Sequence, residues 1–124
     1  MSDYRYEKGL KTRIDVLGSE YVDQALSNVD KFNEPLQRWI TECCWGHIWT
    51  REGLPLKTRS LINLAMLTAL NRPNELKLHL HGAIRNGCTK EEIREVLLQT
   101  AVYCGAPAAI DSFRVAQDVL KEEI

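Results

Sequence analysis

This sequence predicts an all-α fold, a compact bundle of six or seven short helices forming a single domain over residues 1–124. Apolar residues recur at helical spacing along most of the chain, while the alternation expected of strands is nearly absent. Proline, glycine and capping residues punctuate the chain at helix-length intervals. At 124 residues, 44% hydrophobic and 27% charged, there is room for one ordinary globular core and little else.

The first helix is expected over Tyr6–Val16, closed by Gly18. Ser19 stands where it can cap a second helix, in which Tyr21, Val22, Ala25, Leu26 and Val29 fall at helical spacing. Asn33 followed by Pro35 reads as a cap and first-turn proline. That helix should run to about Trp49 and bury Leu36, Trp39, Ile40, Cys43, Cys44 and His47. Residues 51–55 form a loop, and Pro55 introduces a helix over Leu56–Leu70. Leu61, Ile62, Leu64, Ala65, Met66, Leu67, Ala69 and Leu70 leave that helix without a polar face. A small monomer struggles to bury a helix on all sides, so contacts between subunits are expected.

Pro73 ends that element, and Asn74 reads as the cap of a helix through Asn86, closed by Gly87 in left-handed backbone. Thr89-x-x-Glu92 has the form of a capping box opening Lys90–Tyr103, with Ile93, Val96, Leu97, Thr100 and Ala101 facing inward. Gly105 stops this helix, and Pro107 begins the last one, Ala108–Lys121.

Net charge is −1, from 16 basic and 17 acidic residues spread along the chain. No basic block is present to neutralise phosphates, which argues against nucleic acid as a partner. Residues 1–10 are polar and lack the apolar core of a signal peptide. No apolar run approaches the roughly 20 residues needed to span a bilayer. The expectation is therefore a cytoplasmic protein with no membrane partner. Its cysteines, Cys43, Cys44, Cys88 and Cys104, are then reduced thiols acting as small apolar groups.

Reactive residue types concentrate between Glu42 and Asn86. On a helix Cys43 and His47 share a face, as do Trp45 and Trp49, so the tryptophans suit either a pocket wall or a core anchor. A Cys/His metal site needs at least one further ligand, and none stands at a recognisable spacing, so no metal is expected. Arg51, Lys57 and Arg59 cluster around a helix start, where planar guanidinium forks and free backbone N–H groups suit carboxylates. A solvated loop paired with nearby glutamates is the alternative.

Within Glu75–Gly87, Leu76, Leu80, Ala83 and Ile84 form a packing stripe beside a second stripe of Glu75, His79, Gly82 and Asn86. His79 and His81 are two apart and point about 200° from one another, so they should not share a site. Glu75, one turn before His79, is expected to orient its ring and raise its pKa, with Gly82 leaving space alongside.

Taken together these segments resemble the carboxymuconolactone decarboxylase family. Trp45-Gly46-His47-Ile48-Trp49-Thr50-Arg51-Glu52-Gly53-Leu54, continuing to Arg59, is similar to the family's tryptophan, arginine, Gly-Leu and second arginine before an apolar helix. Glu75-Leu76-x-x-His79, Ala83-x-x-Asn86-Gly87-Cys88-Thr89 and Tyr103-Cys104-Gly105-Ala106-Pro107 continue the match in order, over roughly Glu34–Leu120. The resemblance implies an alkylhydroperoxidase D-like helical fold, assembled as a homo-oligomer, usually a hexamer. Alkylhydroperoxidase D-type enzymes carry a C-x-x-C pair; Asn74 and Lys77 stand in its place here, which removes peroxidase chemistry by that route.

The implied activity converts 4-carboxymuconolactone, a small dicarboxylate, to the enol-lactone of 3-oxoadipate with loss of CO2. The departing carboxylate is attached to a carbon that the ring double bond links to the lactone carbonyl, so the electrons released flow to that oxygen and no cofactor is required as an electron sink. On this reading His79 is the proton donor and oxyanion partner, with Glu42 and His47 in reserve. Arg51 and Arg59 bind substrate carboxylates, and Trp45 and His81 complete the candidate binding residues. Two alternatives stand beside it: a decarboxylase or proton-transfer enzyme for another carboxylated lactone or keto acid, and an oligomeric binding protein without catalysis.

Overall fold

The computed structural model describes residues 2–122, and every regular element among them is helical. In chain order these are α1 (Ser2–Leu17), α2 (Ser19–Ser27), α3 (Glu34–Trp39), a π-helix (Ile40–Ile48), α4 (Leu56–Ala69), α5 (Pro73–Arg85), α6 (Lys90–Tyr103) and α7 (Ala106–Glu122). They divide into two compact units, Met1–Pro55 and Leu56–Ile124. None of the described helices is long and apolar enough to cross a membrane.

In the first unit, α1 packs along the π-helix and begins four residues earlier than its periodicity suggested. Two glycines permit this contact. A Cβ on Gly9 would collide with the Thr41 carbonyl oxygen and the Gly46 backbone, and one on Gly46 with the Arg5 carbonyl oxygen. Deep in the contact, the buried Arg13 donates from Nη1 to Thr41 Oγ1 at 3.1 Å, and Thr41 donates in turn to the Gln37 carbonyl at 2.9 Å. Arg38 sits over the Tyr6 ring and reaches Asp3 at 3.5 Å, adding polar ties between α1 and α3.

The expected helix from Asn33 to Trp49 is present, but its second half is wound in π register, with the Trp49 N–H bonding the Cys44 carbonyl five residues back. This overturns the expected buried set. Thr41, Trp45, Gly46 and Trp49 are buried, whereas Leu36 and Trp39 are each 56% exposed and His47 is on the surface. From Ile40 on, a wheel drawn at 100° per residue assigns faces wrongly because each turn takes up an extra residue, whereas Leu36 and Trp39 stand on α3, none of whose residues is buried. One cap assignment here differs: Gly18, at φ 90°, is the N-cap of α2, with Ser19 already helical. Asn33 is the N-cap of α3 with Pro35 in its first turn, as expected, although its side chain accepts from the Asp30 N–H and not from the helix.

The second unit follows its sequence signals more closely. Leu64, Leu76, Leu80, Ala83, Cys88, Ile93, Leu97, Ala116 and Val119 form one core shared by α4–α7. Thr68 and Ser112 hydroxyls meet at 2.8 Å within it, each satisfying the other's buried oxygen. The capping box at Thr89 is complete: Glu92 N–H donates to Thr89 Oγ1 at 3.0 Å, and Thr89 N–H donates to Glu92 Oε1 at 2.9 Å. Gly87 and Gly105 adopt φ of 90° and 98°, where left-handed backbone favours glycine. Pro73 opens α5 instead of Asn74 capping it, because a first-turn proline loses no helical hydrogen bond.

The apolar face of α4 divides in two. Leu64 is fully buried, while Ile62, Met66 and Leu70 form a stripe exposed by 41%, 48% and 62%. The thiols do not all behave as small buried apolar groups. Cys88 is buried, Cys43 and Cys44 are half-buried, and Cys104 is exposed.

Candidate active site

His79 is buried on the α5 face that packs toward α4, a placement dictated by the stripe of apolar positions flanking it. Its Nδ1 lies 3.5 Å from Asn63 Nδ2 of α4. An amide nitrogen can only donate, so this contact makes Nδ1 the acceptor and leaves the ring proton on Nε2. Burial pushes the His79 pKa down from its ordinary value to about 4, so the ring is neutral at neutral pH. This reverses the expectation from Glu75. That residue is exposed, and desolvation governs the ring. Gly82 is buried beside it.

Arg59 stands one turn before Asn63 on α4, and hence on the same face. One residue on, the buried Ser60 hydroxyl accepts from Asn86 Nδ2 at 2.9 Å. The α4–α5 contact therefore carries Ser60, Asn63, His79 and Asn86, with Arg59 one turn before Asn63 on α4. His81 points elsewhere, toward α7, where its Nε2 lies 3.5 Å from Glu122 Oε2. The expectation that the two histidines occupy different environments holds.

The cationic loop separates into three fates. Lys57 pairs with Glu92 at 3.0 Å, and the Thr89 N–H, with Lys57 adding to it, holds the Glu92 carboxyl below its ordinary range. Arg59 belongs to the α4 face already described. Arg51 lines a cleft of about 580 Å³ in the first unit, with Tyr4, Arg5 and Lys8 of α1, Gly46 and His47 of the π-helix, and residues 50–53.

Of the reserve residues, His47 lies in this cleft, while Glu42 is held by Arg38 Nε at 2.8 Å on a neighbouring stretch. Trp45 is a core anchor. It is 4% exposed and stacked on Trp49 with ring centroids 4.6 Å apart. No group of His, Cys, Asp and Glu among the described residues has the geometry to hold a metal ion. Sequence reasoning missed Asn63, Arg5 and Lys8. A polar residue inside the most apolar helix was the available signal for Asn63. For Arg5 and Lys8 it was a pair of cations one turn apart.

The family model described as the carboxymuconolactone decarboxylase family matches residues 34–118. The chain is 41% identical over 120 residues to a 4-carboxymuconolactone decarboxylase of Acinetobacter baylyi, across 97% of this chain and 90% of that protein. It is 46% identical over 119 residues to a nitrosuccinic acid decarboxylase of Metarhizium robertsii, across 96% and 83% of the two chains. An uncharacterised 15.0 kDa protein of Paracoccus denitrificans is 36% identical over 87 residues, 68% of this chain and 64% of that one.

Proposed function

The chain belongs to the carboxymuconolactone decarboxylase family, and from that premise we propose a cofactor-free decarboxylase that takes 4-carboxymuconolactone to 3-oxoadipate enol-lactone and CO2. The observation that carries the site assignment is the buried, neutral His79 with the Asn63 amide against its Nδ1. Both activities named among the relatives make the same chemical demand. In 4-carboxymuconolactone the electron pair left by CO2 flows to the lactone carbonyl oxygen. In nitrosuccinic acid the nitro group is attached to a carbon bearing a carboxyl, and its oxygens take up the pair. Each case requires a donor for the developing oxyanion and then a proton on carbon.

The His79 Nε2–H is a suitable donor for that oxygen. A neutral imidazole provides it without placing a fixed cation in a buried site. A substrate carboxylate beside the ring favours imidazolium; the Asn63 amide then turns to present its Oδ1 to the new Nδ1–H, and Nε2 carries a transferable proton. Arg59, one turn from Asn63, supplies a planar fork for a carboxylate. The C–CO2 bond breaks, the pair moves to the carbonyl oxygen, and the carbon next to the carbonyl takes the proton. The test is direct assay of the purified protein with 4-carboxymuconolactone and, separately, nitrosuccinate, following CO2 and product. Turnover of the lactone is expected. Turnover of nitrosuccinate alone would reassign the substrate, and turnover of neither would favour a non-catalytic binding protein.

The protein on this reading is cytoplasmic and works as a homo-oligomer, a hexamer by family resemblance. Support comes from the exposed apolar stripe Ile62, Met66 and Leu70, a suitable subunit contact. Light scattering should show an assembly, and Met66→Glu should dissociate it with the helical content retained. A wild-type monomer at micromolar concentration would remove this part of the proposal. Leu64, fully buried within its own unit, would report on core stability instead.

A further inference from the structure

The cleft in the first unit has a composition that the chain as a whole does not. In a protein of net charge −1, it gathers Arg5, Lys8 and Arg51 around one carboxylate, Glu52. The arrangement is built by the backbone. Gly46, where a Cβ would strike the Arg5 carbonyl, lets α1 lie against the π-helix, and this brings Arg5 and Lys8 to the same cleft as Arg51. Like charges assembled this way repel one another, and an anion relieves the repulsion.

We infer that this cleft is a binding subsite for a small dicarboxylate, in which Arg5 and Lys8 of α1 act together with Arg51. Arg5 and Lys8 lie outside residues 34–118, the span the family model describes. The cations come from two walls, α1 on one side and the loop at Arg51 on the other, and the cleft is about 580 Å³. That size falls within the range of small-molecule sites. The guanidinium forks of Arg5 and Arg51 can each pair bidentately with a planar carboxylate. The proposal rests on the reading that the chain acts on a diacid, and it concerns the first unit alone.

Isothermal titration of the full chain with succinate tests this, with acetate and inorganic phosphate as comparison ligands. Succinate should bind saturably, more tightly than either comparison ligand, and more weakly as salt is raised. The double variant Arg5→Gln/Lys8→Gln should weaken succinate binding about tenfold. Both residues are exposed, so the fold should survive. Glu52→Gln removes the opposing carboxylate and should tighten binding a fewfold, a gain that a damaged fold does not produce. Unchanged affinity in the double variant overturns the proposal, as does phosphate binding as tightly as succinate or succinate failing to bind. The two readings fail separately. Decarboxylation with no cleft-dependent succinate binding removes the subsite alone, whereas cleft-dependent binding without decarboxylation of either substrate removes the catalytic reading alone.

Discussion

His79→Gln should fold, keep its oligomeric state and lose about 10²–10⁴ in kcat, or about 3–5 kcal/mol of transition-state stabilisation. The expectation follows from the contact with Asn63. Gln retains a polar, uncharged side chain that can accept from the Asn63 amide, but it has no titratable nitrogen to carry the proton that the carbon takes. His81→Gln is the comparison. That residue is half-buried near Glu122 on the α7 side, and its replacement should change turnover far less. Measured as kcat per folded active site, the two variants separate a catalytic imidazole from a packed one. If His81→Gln were the inactive variant, chemistry would have to be sought on the α7 face of α5.

Stability should fall as pH is lowered from about 6.5 to about 4, and His79 should account for much of the fall. In the unfolded chain its imidazole titrates near 6.5, whereas in the fold burial holds it at about 4. Between those values the unfolded state binds a proton that the native state refuses, so acid favours unfolding. The contribution is fully present above about pH 6.5 and is lost as pH falls through the interval. At about 1.36 kcal/mol per pKa unit, the total is on the order of 3 kcal/mol per subunit. Urea midpoints across this range, at fixed protein concentration, give the measurement. The wild type should show a steeper acid-side loss than His79→Gln, and parallel profiles would mean that the ring is not buried neutral.

Local signals in the sequence were read correctly where the structure that answers them is also local. Thr89 and Glu92 cap α6 through bonds that span three residues, and Gly87 and Gly105 take the backbone their positions require. Where two signals competed for one helix start, the sequence did not choose between them, and Pro73 took the first turn of α5 ahead of Asn74. Leu36 and Trp39 were misassigned to the interior because apolar spacing does not tell whether a helix has a neighbour to bury it, and α3 buries none of its residues. His47 was misassigned because nothing in Ile40–Ile48 announces a change of winding.

The site divides in the same way. His79 stands out through its motif, but its partner Asn63 is 16 residues away on another helix, and its pKa depends on desolvation that only packing produces. Arg5 and Lys8 look like an ordinary solvated pair until Gly46 brings their helix against the π-helix.

The π winding also makes Ile40–Ile48 a segment in which length matters more than composition. Deleting a single codon early in it, with the π winding kept, would advance every later side chain by one position, roughly a quarter of a turn relative to α3. Trp45 would leave its buried position, and Gly46 would no longer meet α1. Replacing the exposed Ile48 by another residue disturbs none of this. In recombining this chain with its relatives, the tolerant crossover point is therefore the exposed loop at residues 51–55, and frame-preserving insertions or deletions inside the π-helix are the changes to avoid.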